Sequence, residues 1–282
     1  MIAILGGLGA ATAWAITMLT AARASREIGS PATLAWVMLT GLVVVGPVAL
    51  AEGRPAALDG GALVWLVLAG VGNVAGLLLV YSGLRIGKVG VVGPLSSSEG
   101  AVAAVIAVVA GERLGIGAGL ALAAIVLGIV LVARTPTGVP EDERDDPRAA
   151  FFGLAAAGAF GMGLYATGRA SLDLPIAWAV LPPRLLGVAF VTVPLVVAGR
   201  LQLSRAATPY VVASGLAEVV GFVSYAVGAR HGIAVSAVLA SQFAAIAALA
   251  AALLFRERLG RAGVAGVIVI AAGVAAVSAL RA

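Results

Sequence analysis

Cysteine is absent from the 282 residues, so disulfides and thiolate metal sites are excluded and compartment redox leaves no trace. Histidine occurs once, as His231, which rules out a His-rich metal centre. There is no HExxH, and the stretch from Gly83 to Lys88 (GLRIGK) lacks the Ser/Thr and the full spacing of a phosphate-binding loop. An intramembrane enzyme therefore has no metal site or cysteine nucleophile to work with, and an ATP-driven pump has no soluble domain to hold nucleotide. Charge is scarce as well. Charged residues make up 11% of the chain, against about a quarter in ordinary soluble domains. Hydrophobic residues reach 62% and the mean hydropathy is +1.12, so water is not the solvent of most of this surface. The formal charge of +5 points to no nucleic acid, because the arginines stand between apolar runs, where basic residues set membrane orientation.

What the sequence does have is length in its apolar runs. A hydrocarbon core of about 30 Å takes about 20 helical residues to cross. Runs of that kind cover about 2–22, 31–51, 61–84, 89–110 and 115–133. A polar, acidic connector follows at 135–148 (TPTGVPEDERDDPR), and five more runs cover about 149–167, 175–198, 208–229, 234–255 and 261–280. They are too long for barrel strands and show no period of two, so helices are the one way to satisfy their backbone in lipid. The first run has no basic leader and nine similar runs follow it, so it reads as a span and not as a cleaved signal. The expected fold class is an all-α integral membrane protein of ten transmembrane helices.

The chain also repeats itself. Gly70, Gly76, Gly83, Arg85, Gly87, Ser96, Glu112-Arg113-Leu114-Gly115 and Gly128 recur 145 positions later as Gly215, Gly221, Gly228, Arg230, Gly232, Ser241, Glu257-Arg258-Leu259-Gly260 and Gly273. The units are 1–134 and 149–282, with 135–148 as linker. Each holds an odd number of spans, so two consecutive copies enter the bilayer in opposite directions, as inverted repeats do in many alternating-access carriers. Of the eighteen basic residues, twelve fall in loops after the odd-numbered runs, five on the other side, and Arg184 within the membrane. By the positive-inside rule the twelve face the cytoplasm and both termini lie outside.

Charges within the spans are candidates for function, since burial there is expensive. Glu99 sits near the middle of the fourth run and Glu218 near the middle of the eighth, each readable as a proton carrier or as the counter-charge to a cationic substrate. Arg184, after Pro182 and Pro183 in the seventh run, lies at a depth where it can pair with Glu218 as an intramembrane ion pair. Pro94 removes a helix hydrogen bond in the fourth run, next to Ser96 and Ser98. Ser241 and Gln242 occupy the matching step of the second copy, and Asn73 matches Glu218 at the same offset. These residues point to a shared midplane site for a small-molecule solute. The serines alone also serve close helix packing. Trp14 and Tyr225 are possible cavity walls, whereas Tyr81 and Tyr165 read better as interface anchors. The Glu-Arg-Leu-Gly turns lie at the membrane edge, where they cap helix ends. Small residues four apart, Ala124 with Gly128 and Ala262 with Gly266, favour close packing of the fifth and tenth runs or a dimer contact, and the chain reads as a monomer or homodimer.

Two five-span halves, each ending in Glu-Arg-Leu-Gly and a Gly-rich closing helix, resemble the EamA family of the drug/metabolite transporter superfamily. The resemblance covers about residues 3–133 and 150–280. It implies a basket-like fold around a central cavity between the halves, with neither cofactor nor metal. It also implies export of small metabolites such as amino acids, or of drugs, across the cytoplasmic (inner) membrane, with proton or ion coupling left open. The family often carries an arginine in the second helix of each half; here the second half supplies Arg184 and the first has Met38 near the matching place. The first run lacks the membrane-embedded glutamate of the small multidrug relatives. Family members are usually drawn with both termini inside, opposite to the arginine count. A channel, a lipid-linked sugar flippase and a non-transporting membrane subunit stay open as alternatives.

Overall fold

The computed structural model describes residues 1–86, 92, 95–133, 148–243, 245–246, 250, 265–266, 268–270, 272–273, 276 and 280. Pro94, nearly all of the 135–148 linker and the second Glu-Arg-Leu-Gly turn lie outside them. Among the described residues there is no strand. The helices are α1 (Ile2–Ile28), α2 (Ser30–Glu52), α3 (Gly60–Ile86), α4 (Glu99–Val109), α5 (Ile116–Ala133), α6 (Arg148–Asp173), α7 (Ile176–Gly187), α8 (Val193–Val197), α9 (Thr208–Ala229) and α10 (Ile233–Ala240). A π-helical turn, Val188–Thr192, joins α7 to α8, so the two form one span, 176–197. It follows Pro182 and Pro183 and precedes Pro194, which is where missing N–H groups loosen the helical ladder.

Six helices are long and apolar enough to cross a membrane: α1, α2, α3, α6, the α7–α8 span and α9. Helices α4 and α5 are apolar but shorter. The outer surface fits that reading. Leu50, Val109, Ile116 and Val197 are each more than 80% exposed, an arrangement that only a lipid surround makes favourable.

The helix ends follow local chemistry. Gly29 breaks α1 from α2 with φ +80°, a backbone region that a side chain would strain, and Pro31 opens α2 where its missing N–H costs nothing. Asp59 caps α3 by accepting from the Ala62 N–H at 2.7 Å.

Packing follows a pattern that repeats. Helix α1 lies along α9, and α3 lies along α6. Helix α1 also touches α10 as α6 touches α4, and α2 touches α9 as α3 touches α7. Four of the duplicated glycine pairs sit at helix contacts. A Cβ on Gly76 would strike the Phe160 ring of α6, and one on Gly221 the Trp14 ring of α1. Gly70 faces Pro182 and Leu186 of α7, while Gly215 faces Val37 and Thr40 of α2. Gly83 meets Phe152 near the start of α6, and Gly228 meets Gly6 near the start of α1. In the closing runs, Gly128 faces Ile270 and Gly266, and Gly273 faces Ile125 and Ala121. At these eight glycines the other half's backbone or side chains come close, as small residues allow between membrane helices, whereas nothing lies within 4 Å of a Cβ on Gly115. Of the small residues four apart in the fifth and tenth runs, Gly128 and Gly266 thus meet inside the chain, and Ala262 lies outside the described residues.

The first helices of the two halves run in opposite directions. The start of α1 is pinned to the end of α9 through Gly6 on Gly228, and the Ser236 hydroxyl donates to the Ala3 carbonyl at 3.0 Å. Arg230, just past α9, donates to the Ser171 and Leu174 carbonyls at the end of α6, at 2.5 and 2.8 Å. So α1 begins at the end of the bundle where α6 finishes.

The same end carries a clamp between the halves. Glu112, in the turn after α4, accepts from the Ile233 N–H at 3.0 Å and from the Ala234 N–H at 3.1 Å, capping α10 across the seam. The first Glu-Arg-Leu-Gly turn is architectural in the way expected, but the helix it caps belongs to the second half. Glu112→Ala is expected to cost about 1 kcal/mol, the usual loss of an N-terminal cap, read as a lower melting temperature in detergent.

Candidate functional site: a carboxylate and aromatic cavity at the seam

The fourth and ninth runs are each interrupted at the same step. Residues Ser97 and Ser98 form a turn before α4 begins at Glu99, and Ser241 and Gln242 form a turn after α10 ends at Ala240. Glu99 thereby stands in the first turn of a helix deep in the bundle, where the helix dipole favours a negative charge. It is 8% exposed, and among the described residues no hydrogen-bond donor or cation reaches its carboxylate.

Beside it is a partly enclosed cavity of about 200 Å³. Its polar wall is Glu99 and Ser96 before and at the start of α4, Asn73 of α3, Glu218 of α9 and Thr17 of α1. The aromatic wall is Trp14, Phe160, Phe222 and Phe243, one from each of four runs. Trp14 organises this wall, with its ring edge-on to Phe222 at 5.0 Å and to Phe243 at 6.2 Å between centroids. Asn73 leaves its Oδ1 buried without a partner.

Arg184 is 1% exposed and stands just behind this wall. Its Nη1 donates to the Val180 carbonyl at 3.1 Å, its Nη2 to the main-chain carbonyl of Glu218 at 3.2 Å, and its guanidinium lies 4.3 Å from the centre of the Phe222 ring. The link is thus to the Glu218 backbone, and Glu218 is itself a residue of the cavity wall. Among the described residues the salt bridge that forms is Arg23 with Glu27, at 3.3 Å on α1, and no direct Arg184–Glu218 carboxylate pair is made. Gly41 provides the room: a Cβ there would lie 3.1 Å from the Arg184 side chain. Met38 packs instead on Gly187, one turn further along α7.

Of the residues singled out in the sequence, Trp14, Asn73, Ser96, Glu99 and Glu218 meet at this cavity. Four stand outside its wall. The Ser98 hydroxyl donates to the Leu95 carbonyl at 2.6 Å, and that of Ser241 to the Val238 carbonyl at 2.9 Å. Gln242 is 3% exposed with its Nε2 unpartnered, and Tyr225 is fully buried with its hydroxyl donating to the Leu164 carbonyl at 2.8 Å. Tyr165 is buried edge-on to Trp65 and is no interface anchor, and the Tyr81 side chain lies outside the described residues. Sequence reasoning missed Thr17, Phe160, Phe222 and Phe243. The repeat itself held a signal for Phe160, since Gly76 and Gly221 demand a ring from each opposing first helix.

The cavity is off-centre along the bundle. From Trp14 it continues past Thr17 and Met18 toward the end of α1, and from Asn73 past Leu77 toward the end of α3. The other end is filled by the Gly6–Gly228 crossing, the Ser236–Ala3 bond and the Tyr225–Leu164 bond.

A multi-pass helical membrane protein with a polar cavity between its two halves is the class that fold and site define. Residues 1–134 match the model of the EamA-like transporter family, so the family resemblance of the sequence holds over that first half, and the match is consistent with a transporter of the drug/metabolite superfamily. A solved protein, described in print only as a crystal structure of a protein, is similar over 99% of this chain and 96% of its own, with a TM-score of 0.79 at 18% identity, a likeness of fold. No curated protein matches.

Proposed function

We propose that the protein is a secondary carrier and not an enzyme, moving a small solute across the cytoplasmic membrane by alternating access, in the direction of export. Its ten spans are two inverted five-span repeats, 1–134 and 149–282, joined by the 135–148 linker. The observation that carries this reading is a cavity at the seam whose polar groups come from both halves, Thr17, Asn73 and Glu99 from the first and Glu218 from the second. The opposed directions of α1 and α6 and the matched glycine crossings support the inverted arrangement. The cavity lies toward the end of α1 that carries Arg23 and Arg26, the basic and hence cytoplasmic side by the positive-inside rule, which supports loading from inside.

The test is uptake by purified protein in proteoliposomes. A carrier gives uptake that saturates with solute and is accelerated when the same solute is loaded on the far side. A channel gives flux without that acceleration, and activity confined to a long-chain lipid carrier returns the flippase reading.

A further inference from the structure

We propose that the cavity selects an organic monocation, a protonated amine on an apolar ring-sized body, and rejects the zwitterionic amino acid of the same shape. This rests on the carrier reading and names its substrate class. Two acids, Glu99 and Glu218, line one space of about 200 Å³. Like charges that share a water-poor cavity repel, and a cation between them relieves both. Glu99 is more than nine-tenths buried and has no donor or cation among the described residues, and the Asn73 Oδ1 nearby is equally unanswered. An ammonium group brings three N–H donors, enough to serve these acceptors together.

The remaining wall suits what such an amine is attached to. Trp14, Phe160, Phe222 and Phe243 offer ring faces and edges to an apolar body, and ring faces add attraction for the cation. Nothing answers a carboxylate on the solute: no Lys, Arg or His stands among the described residues of the wall. Arg184 is the nearest guanidinium and is not part of the wall: the Val180 and Glu218 carbonyls hold its Nη atoms, the Phe222 ring covers it, and its unpartnered Nε lies toward Gly41 of α2. A zwitterion would therefore bring its anionic end against two acids with no compensating charge, a penalty that acts as a rejection.

The experiment uses three probes with one ring and three charge states: 2-phenylethylamine, L-phenylalanine and 3-phenylpropionate. The full-length protein in detergent is assayed by thermal shift, and in proteoliposomes by radiolabelled uptake. The amine is expected to raise the melting temperature and to be taken up saturably, with neither effect from the other two. Glu99→Gln and Glu218→Gln are each expected to weaken amine binding about ten- to a hundredfold, the loss of one charge-assisted contact, while Glu27→Gln on the α1 surface leaves it unchanged. Saturable uptake of L-phenylalanine with no response to the amine overturns the cation assignment and leaves the carrier reading standing. Amine binding that survives both glutamine variants also overturns it. Binding of the amine without uptake or exchange of any solute keeps the site and defeats the carrier reading.

Discussion

Gly72→Val is expected to abolish recovery of monodisperse protein. A Cβ at this position would lie 2.6 Å from the Ala159 carbonyl oxygen and 2.8 Å from the Gly163 Cα and N. Those are backbone atoms, so no rotamer change relieves the clash and α3 must move off α6 along its length. Overpacking a well-filled interior costs about 1–3 kcal/mol, and rigid backbone neighbours put this site at or above the top of that range. Size-exclusion profiles and yields in detergent read the outcome. Gly119→Ala provides the contrast: nothing lies within 4 Å of its Cβ on α5, and the exchange should be neutral or slightly stabilising through helix propensity. Normal profiles for Gly72→Val would mean that α3 and α6 do not cross here.

Arg184→Met is expected to lower the folded yield severely, and the double variant with Glu218→Gln to restore much of it. Removing the guanidinium frees the Val180 and Glu218 carbonyls and leaves the Glu218 carboxylate without its nearest positive charge. Although the two side chains make no direct pair, Arg184 is the positive charge near Glu218, and stranding a buried charge by removing its counter-charge costs up to about 3–5 kcal/mol. Neutralising that partner as well removes the penalty, so the two changes should be strongly non-additive. Melting temperatures of the four proteins give the cycle directly. Normal yield for the single variant, with transport lost, would instead assign Arg184 to the solute.

The spans were legible because membrane helices announce themselves by length. The runs at 2–22, 31–51, 61–84, 149–167, 175–198 and 208–229 all became long helices. The site was legible only where a polar group interrupts an apolar run, as at Asn73, Glu99 and Glu218. Its aromatic wall was not. Phe160, Phe222 and Phe243 look in sequence like Phe190, which is 67% exposed on the outside, because lipid and protein interior ask for the same side chains. Phe160 and Trp14 reach the cavity where Gly76 and Gly221 leave room for their rings. For the same reason Ser98 and Ser241, though correctly placed at the helix breaks, turned to their own carbonyls. A hydroxyl one turn from a free carbonyl satisfies itself locally before it serves a ligand.

Asn73 and Glu218 fill matching steps of the two copies, one neutral and the other acidic. Two separate identical subunits would be obliged to present the same group on both sides, whereas a tandem chain is released from that obligation. The pocket consequently has a head and a tail, and a molecule charged at one end has a single way to lie in it.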